Sequence, residues 1–580
     1  MRSRLCNGSE STEPRLRRSQ GITSCGRIKK MWNHWHCLVG FIAFLGMLAV
    51  PADAQTNSSG AACAACHREI YESYRTTPMA RSVRELDGIA GVEQSLRSSF
   101  LHKPSGFRYQ VSIKDSAYTF GFANPSTGTS GSKRLSYAVG SGTRAISYLI
   151  ANDGFLFEAP VAYYTRSEAW GLAPGYDRYD YPFLTRPIAP GCLACHASGV
   201  QIDSGTLNRY RSPAFLEGGV SCERCHGNGE RHIAKMKSGN LTGGLEMLNP
   251  AKLPAPNRDS ICAQCHLSGD VRVMRPGADW QTFQPGARLS DSQTVFVRSG
   301  KTAGVTVTGH MESLAASACK RSSGDRLWCG SCHDPHKLPG RTETASWFRS
   351  KCLSCHAEKG CSETKQARAK ANDNCIGCHM PAGPATDAEH VVLTDHSIPR
   401  RPRTATRARD GAADELVAFY GSPAMRDVAL AYAYAALGER GAASRVKARG
   451  LLERAAADSP KDVEVLVSLA EIYRNADKGE AARPLYTRAL ELDGGQLTAL
   501  SGLGAVAMER GEYAQAIRLW TAALTKNSGL ELVRLNLALA QWKAGDRAGS
   551  ETNLRKALEI NPAFAPARKA LEQLGLPPQK

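Results

Sequence analysis

Seven times the chain reads Cys-x-x-Cys-His: Cys63-Ala-Ala-Cys66-His67, Cys192-Leu-Ala-Cys195-His196, Cys222-Glu-Arg-Cys225-His226, Cys262-Ala-Gln-Cys265-His266, Cys329-Gly-Ser-Cys332-His333, Cys352-Leu-Ser-Cys355-His356 and Cys375-Ile-Gly-Cys378-His379. Two thiols one helical turn apart can add to the two vinyl groups of a single porphyrin while the next residue offers an imidazole to its iron. Zinc knuckles and thioredoxin-type redox pairs also use Cys-x-x-Cys, but neither needs a histidine directly after the second cysteine. Histidine is 15 of 580 residues, so its presence at all seven positions points to seven covalent c-type haems. His67, His196, His226, His266, His333, His356 and His379 are then the proximal iron ligands.

Seven irons also have a second axial position each. Outside the leader and the motifs the histidines are His102, His232, His310, His336, His390 and His396, each a distal candidate and each equally able to be an ordinary core or surface residue. Six cannot serve seven. Met79, in a Thr-Pro-Met-Ala stretch after His67, is the candidate substitute, although plain packing would account for it as well. Met380 directly follows the proximal His379 and cannot easily reach the far face of that haem. The count therefore predicts at least one haem that is His/Met or five-coordinate, and a five-coordinate haem would be a candidate catalytic centre.

Such attachment needs an extracytoplasmic compartment, and the N-terminus fits one. A basic, polar segment is followed by an apolar run from Leu38 to Val50 and by Pro51-Ala52-Asp53-Ala54, the pattern of a secretory signal peptide over 1–54, with Met31 as an alternative start. Thirteen apolar residues fall short of the roughly 20 that span a bilayer. Cleavage after Ala54 removes Cys6, Cys25 and Cys37 and leaves Cys319 and Cys361 outside the motifs. That even remainder suggests either a disulfide or two buried thiols. The formal charge of +19 falls to +14 once the leader's 8 basic and 3 acidic residues are gone. Haem propionates offset about half of that excess, no nucleic-acid motif is present, and no nucleic-acid partner or mature membrane span is expected.

The elements that must hold these motifs divide by texture. A first haem segment covers 55–105. From 106 to 190 cysteine disappears and alternation such as Phe107-Arg-Tyr-Gln-Val-Ser-Ile113, with Asn152-Asp-Gly154 between apolar runs, reads as a small β-rich insertion of hairpins. Six motifs crowd 191–396, where so little polypeptide per haem implies little regular structure and a core made largely of porphyrin. A basic, proline-containing linker follows at 397–415. From 416 to 580 small residues recur with period 34: Ala436, Ala470, Gly504 and Ala538; Ala448, Ala482, Ala516 and Ser550; Ala455, Ala489, Ala523 and Ala557; Pro460, Gly494, Ser528 and Pro562. Paired helices can pack closely there, with Leu452, Tyr486, Trp520 and Leu554 filling the interface. This segment resembles tetratricopeptide (TPR) repeats over about 429–562 with a closing helix through Leu574, which implies an α-solenoid. The expected fold is mainly α: a multihaem cytochrome c domain followed by the solenoid.

Cys329-Gly-Ser-Cys332-His333-Asp-Pro-His336, the Cys-His-Met-Pro run from Cys378 to Pro381 and Thr394-Asp395-His396 resemble the multihaem cytochromes related to hydroxylamine oxidoreductase and pentahaem nitrite reductase. The resemblance implies closely stacked haems that carry electrons, with His336, His390 and His396 as distal ligands to haems attached elsewhere in the chain. All seven motifs end in histidine, so the lysine-ended haem motif of the nitrite reductases is absent. The expected function is extracytoplasmic electron transfer, with the repeats docking a redox partner protein. The alternative is an oxidoreductase acting on a small nitrogen or sulfur compound at one five-coordinate haem.

Overall fold

The computed structural model describes residues 60–86, 99–115, 117–239, 247–299, 305–357, 360–388, 390–400, 415–437 and 442–576. The leader, its cleavage site and most of the basic linker lie outside these residues. Among the described residues no helix is long and apolar enough to cross a membrane.

Alternating aromatic and polar residues dictate the first body, two antiparallel sheets. Strands β1 (Val83–Glu85), β2 (Ser99–His102), β3 (Phe107–Lys114), β4 (Ala117–Asn124), β5 (Thr129–Arg134), β6 (Tyr137–Val139), β7 (Ala145–Asn152), β8 (Phe155–Tyr164) and β9 (Ala169–Leu172) form a five-stranded sheet in the order β1-β6-β7-β8-β9 and a four-stranded meander β2-β3-β4-β5. Phe107, Tyr109 and Val111 of β3 face inward with Tyr118, Phe120 and Phe122 of β4, against Tyr148 and Trp170 of the other sheet. The Asn152-Asp-Gly154 hairpin forms as expected: Asp153 and Gly154 both take positive φ, the geometry whose twist suits a two-residue hairpin turn.

The β content exceeds the expectation of a mainly α fold with a small insertion. Helix makes up 44% of the structure and strand 19%. Strand structure starts at Val83 rather than near 106. Within the motif-rich segment lie the hairpin β10 (Ala197–Ile202) with β11 (Tyr210–Gly218), the pair β12 (Val271–Met274) with β13 (Gln293–Arg298), and the pair β14 (Ala382–Pro384) with β15 (Val392–Thr394). The strands β12, β14 and β15, of three or four residues, are too short to show an alternation in the sequence, whereas β10, β11 and β13 are longer and lack a clean two-residue burial period.

The C-terminal helices run Met425–Leu437, Ala442–Asp458, Val463–Arg474, Gly479–Leu492, Leu497–Glu509, Tyr513–Lys526, Glu531–Lys543, Arg547–Ile560 and Ala565–Gln573. The small residues of period 34 are at the helix contacts: Ala448, Ala482 and Ala516 are fully buried, as are Ala455, Ala489, Ala523 and Ala557 to within 2%. A Cβ on Gly504 would meet the Trp520 indole at 2.7 Å, so glycine there makes room for the large neighbour. The four interface residues Leu452, Tyr486, Trp520 and Leu554 are all buried.

This solenoid is seated on the rest of the chain by one edge. Strand β16 (Leu416–Ala418) extends the β12–β13 sheet. Just beyond it the buried carboxylate of Asp427 accepts from Arg275 Nη1 at 2.7 Å and Thr294 Oγ1 at 2.7 Å, while Arg426 donates to the Met274 carbonyl at 2.9 Å. Two loops between repeats do the same one period apart. Asn527 Nδ2 donates to Asn208 Oδ1 and Asn561 Nδ2 to the Pro182 carbonyl, both at 2.9 Å. The oxygen of each closes its own turn, on Gly529 N and Ala563 N, at 3.0 Å.

Candidate haem-binding centre

Each motif lies on a helix or in the turn that ends one; the His196 N–H reaches back three residues, to the Leu193 carbonyl at 3.0 Å, and other motif histidines reach the carbonyl four residues back. His67, His226 and His333 each bond to the carbonyl of Cys63, Cys222 and Cys329 at 2.9 Å. The turns are set by local chemistry: Pro190 opens the helix Pro190–Ala194, and Asn374 caps Cys375–His379 through Gly377 N at 3.1 Å. Both thiols and the imidazole of a motif thus project from one short turn.

The turns then meet across long stretches of sequence. The Cys63 thiol faces Cys222, Cys195 faces Cys265, Cys262 faces Cys329 and Cys352 faces Cys375. Imidazoles pair as well. The rings of His67 and His232 are 6.4 Å apart at 20°, those of His226 and His336 5.9 Å apart at 18°, and those of His333 and His396 6.2 Å apart at 28°. An imidazole nitrogen binds a metal at about 2 Å and lies about 1 Å from its ring centre, so two imidazoles on opposite sides of one metal have centres about 6 Å apart. The three pairs fit that spacing. Following thiols and imidazoles together, all seven motifs join one network: histidines link the first, third and fifth motifs to the segments that follow the third, fifth and seventh, cysteines link the second, fourth and fifth, and cysteines link the sixth to the seventh.

Second contacts orient these rings. His226 Nδ1 bonds the Leu248 carbonyl at 2.7 Å, His379 Nδ1 that of Pro399 at 3.0 Å, His396 Nδ1 that of Thr394 at 3.0 Å and His196 Nδ1 that of Ser82 at 3.3 Å. An Nδ1–H given to a carbonyl leaves the Nε2 lone pair free for a metal. Burial lowers the basicity of His196, His266 and His396, and takes His310 to about 3 with help from the neighbouring His266 and His396. Burial thus favours the neutral imidazole, the form that ligates.

The surroundings also fit a porphyrin. The helices Ala318–Ser323, Cys329–Cys332, Thr344–His356, Lys365–Lys370 and Cys375–His379 have no fully buried residue, so the polypeptide packs only sparsely around the last three motifs. Beside His333 a cavity of about 260 Å³ is walled by Trp347, Phe348 and Leu338 with Lys337 at its rim. Among the described residues no three His, Cys, Asp or Glu side chains converge as a bare metal ion would need.

Of the distal candidates, the structure brings His232, His336 and His396 to proximal histidines at the metal spacing. His310 lies 5.0 Å from His266 and 4.7 Å from His396, nearly perpendicular to both, in a cluster of four imidazoles at the fourth and fifth motifs. His102 and His390 are elsewhere. His102 ends β2 and its Nδ1 bonds Ser105 Oγ at 2.8 Å, and His390 packs edge-on against Tyr164 of β8 at 5.0 Å. Met79 sits in a turn whose Ser82 donates to the His196 carbonyl at 2.8 Å, next to the second motif. Cys319 and Cys361 are both free thiols, Cys361 exposed, so the disulfide suggested by the even count does not form in this structure. Sequence reading missed the residues inside the motifs that brace them. Arg224 Nη2 donates to the Ala194 carbonyl at 2.8 Å and Gln264 Nε2 to the Arg224 carbonyl at 3.2 Å; only their polar character at the variable motif positions could have drawn attention.

Residues 183–227, which hold the second and third motifs, match the family described as cytochrome c554 and c-prime. Residues 533–564 match a tetratricopeptide repeat. Among solved structures the chain is similar to MamA, at 21% identity over 23% of this chain and 81% of that one with a TM-score of 0.22. It is also similar to YrrB, described as a TPR protein with an unusual peptide-binding site, at 18% identity over 26% and 73% with a TM-score of 0.23. No curated protein matches the chain.

Proposed function

We propose that this chain, whose composition joins a c-type cytochrome segment to TPR repeats, is an extracytoplasmic electron-transfer protein carrying seven covalent haems, with the repeats docking a redox partner protein. The observation that carries the reading is the pairing of three motif imidazoles with non-motif imidazoles far away in sequence, at the spacing one iron would need. When bound, each haem would supply a one-electron couple. The chain's own residues would anchor each haem by two thiols; carbonyls would orient the rings of His196, His226 and His379 through Nδ1, and three motif histidines would share their haem with a second imidazole. His232, His336 and His396 would supply it. The network of motifs supports passage of electrons from one to the next, and the resemblance of the 329–396 segment to relatives of hydroxylamine oxidoreductase and pentahaem nitrite reductase belongs to the same proposal.

Intact mass of the mature protein tests it. It should exceed the cleaved polypeptide by seven haem masses that survive acid-acetone extraction, and extractable haem or bound zinc would overturn it. A second reading, an oxidoreductase working on a small nitrogen or sulfur compound, is favoured by one observation. His102 and His390, two of the six distal candidates, are placed in or against the β-sheets rather than at a motif. Electron paramagnetic resonance of the oxidised protein separates the two: a high-spin signal abolished by cyanide supports an open haem, and low-spin signals alone support the carrier.

A further inference from the structure

Arg272, in the middle of β12, is a half-buried cation with no carboxylate at ion-pairing distance among the described residues. Its guanidinium is held by neutral acceptors: Nε donates to the Ser268 carbonyl at 3.3 Å, and Nη1 to the Gln264 carbonyl at 3.4 Å and to Gln293 Oε1 at 3.1 Å. Its Cζ lies over the Trp280 ring, 5.6 Å from the ring centre. Trp280 in turn packs on the second motif, since a Cβ on Gly191 would meet the indole at 2.4 Å. Glu312 is close enough to act on Arg272 electrostatically, but its Oε1 accepts from Gly269 N. Carbonyls fix the position of a guanidinium without cancelling its charge.

That charge sits where two motifs meet. The Gln264 carbonyl that accepts from Arg272 also accepts from Cys195 Sγ at 3.8 Å, and residue 264 directly precedes Cys265. One guanidinium is thereby placed against a haem-attachment thiol of the second motif and the backbone of the fourth. A fixed positive charge favours the state with the extra electron, and charge together with burial is what sets the potential of a haem.

We propose that Arg272 is a positioning residue for electron flow, raising the reduction potentials of the haems held at Cys192–His196 and Cys262–His266 so that this pair collects electrons from the rest of the network. The inference rests on the seven-haem reading above. Reduction adds one electron to one ferric haem and needs no proton or co-reactant from Arg272, whose role is electrostatic throughout.

Spectroelectrochemical titration of the purified holoprotein tests it. Arg272→Gln should lower one or two of the midpoints by about tenfold in reduction equilibrium constant, which for one electron is about 59 mV, with haem content and low-spin signals unchanged. Arg272→Lys keeps the charge and should hold the wild-type midpoints. Gln293→Glu sets a carboxylate of the same shape on the guanidinium and should lower the same midpoints even where the Arg272 variants fold poorly. Tuning is overturned if Arg272→Gln and Gln293→Glu leave every midpoint in place in haem-replete protein, or if Arg272→Lys shifts them as far as Arg272→Gln. Peptide mass mapping that finds no haem on the second and fourth motifs would instead overturn the haem reading, so the two failures are distinguishable.

Discussion

A histidine's role here depends on what stands opposite its ring, and the structure separates residues that look alike in the sequence. His232, His336 and His396 each lie about one metal's width from a proximal histidine, whereas His102 and His390 contact Ser105 and Tyr164. Replacing any one of the first three by alanine should convert one low-spin haem to high-spin without loss of covalent haem. The same change at His102 or His390 should leave the paramagnetic resonance spectrum as it was. The motifs were legible because Cys-x-x-Cys-His is a local pattern that fits one helical turn. The rings that face motif histidines were legible only as a pool of six candidates, since His67 and His232 are 165 positions apart and nothing local records their meeting. Arg224 and Gln264 were hidden for the opposite reason: they occupy the motif's variable positions, where any residue satisfies the pattern.

At the scale of elements, the period of 34 showed where helices touch each other but not what the solenoid touches. Asn527 and Asn561 read as turn residues, which they are through their oxygens, while their amide nitrogens anchor the loops to Asn208 and Pro182. Both are fully buried. Alanine at either leaves a buried acceptor without its donor and should cost about 1–3 kcal/mol, measured by chemical denaturation and visible as faster proteolysis at the 527 or 561 loop. Glu531 occupies the same seam, 1% exposed, and burial raises its carboxyl to about 8 against the opposing effects of Asn561, Thr185 and Lys133. The folded chain keeps a proton that the unfolded chain releases near the ordinary carboxylate value, so this contribution to stability is complete at low pH and is lost as pH rises towards 8. Glu531→Gln should flatten that part of the stability profile between about pH 5 and 8. The β-sheets were legible where a long strand alternates, as in β3 and β4, and missed where three residues such as Val83–Glu85 depend on a partner strand for their shape, or where a long strand such as β11 does not alternate.

Across the whole molecule, stability is divided unevenly. The β-sheets and the solenoid carry their own apolar clusters, whereas the helices around the last three motifs have no fully buried residue. Chain made without haem attachment should therefore protect the amides of 107–164 and 463–560 from hydrogen exchange and leave those of 318–379 open, a contrast that haem loading removes. The seating of the solenoid sets a further condition on how such a chain can vary. A free solenoid tolerates duplication or loss of a repeat, because each unit touches only its neighbours. Here Asp427 near one end and Asn561 near the other hold fixed points on the same body, so the distance between them is prescribed. One added or deleted unit of 34 residues would carry the second anchor past its socket, and the number of repeats is locked in the way a bridge span is locked by its piers.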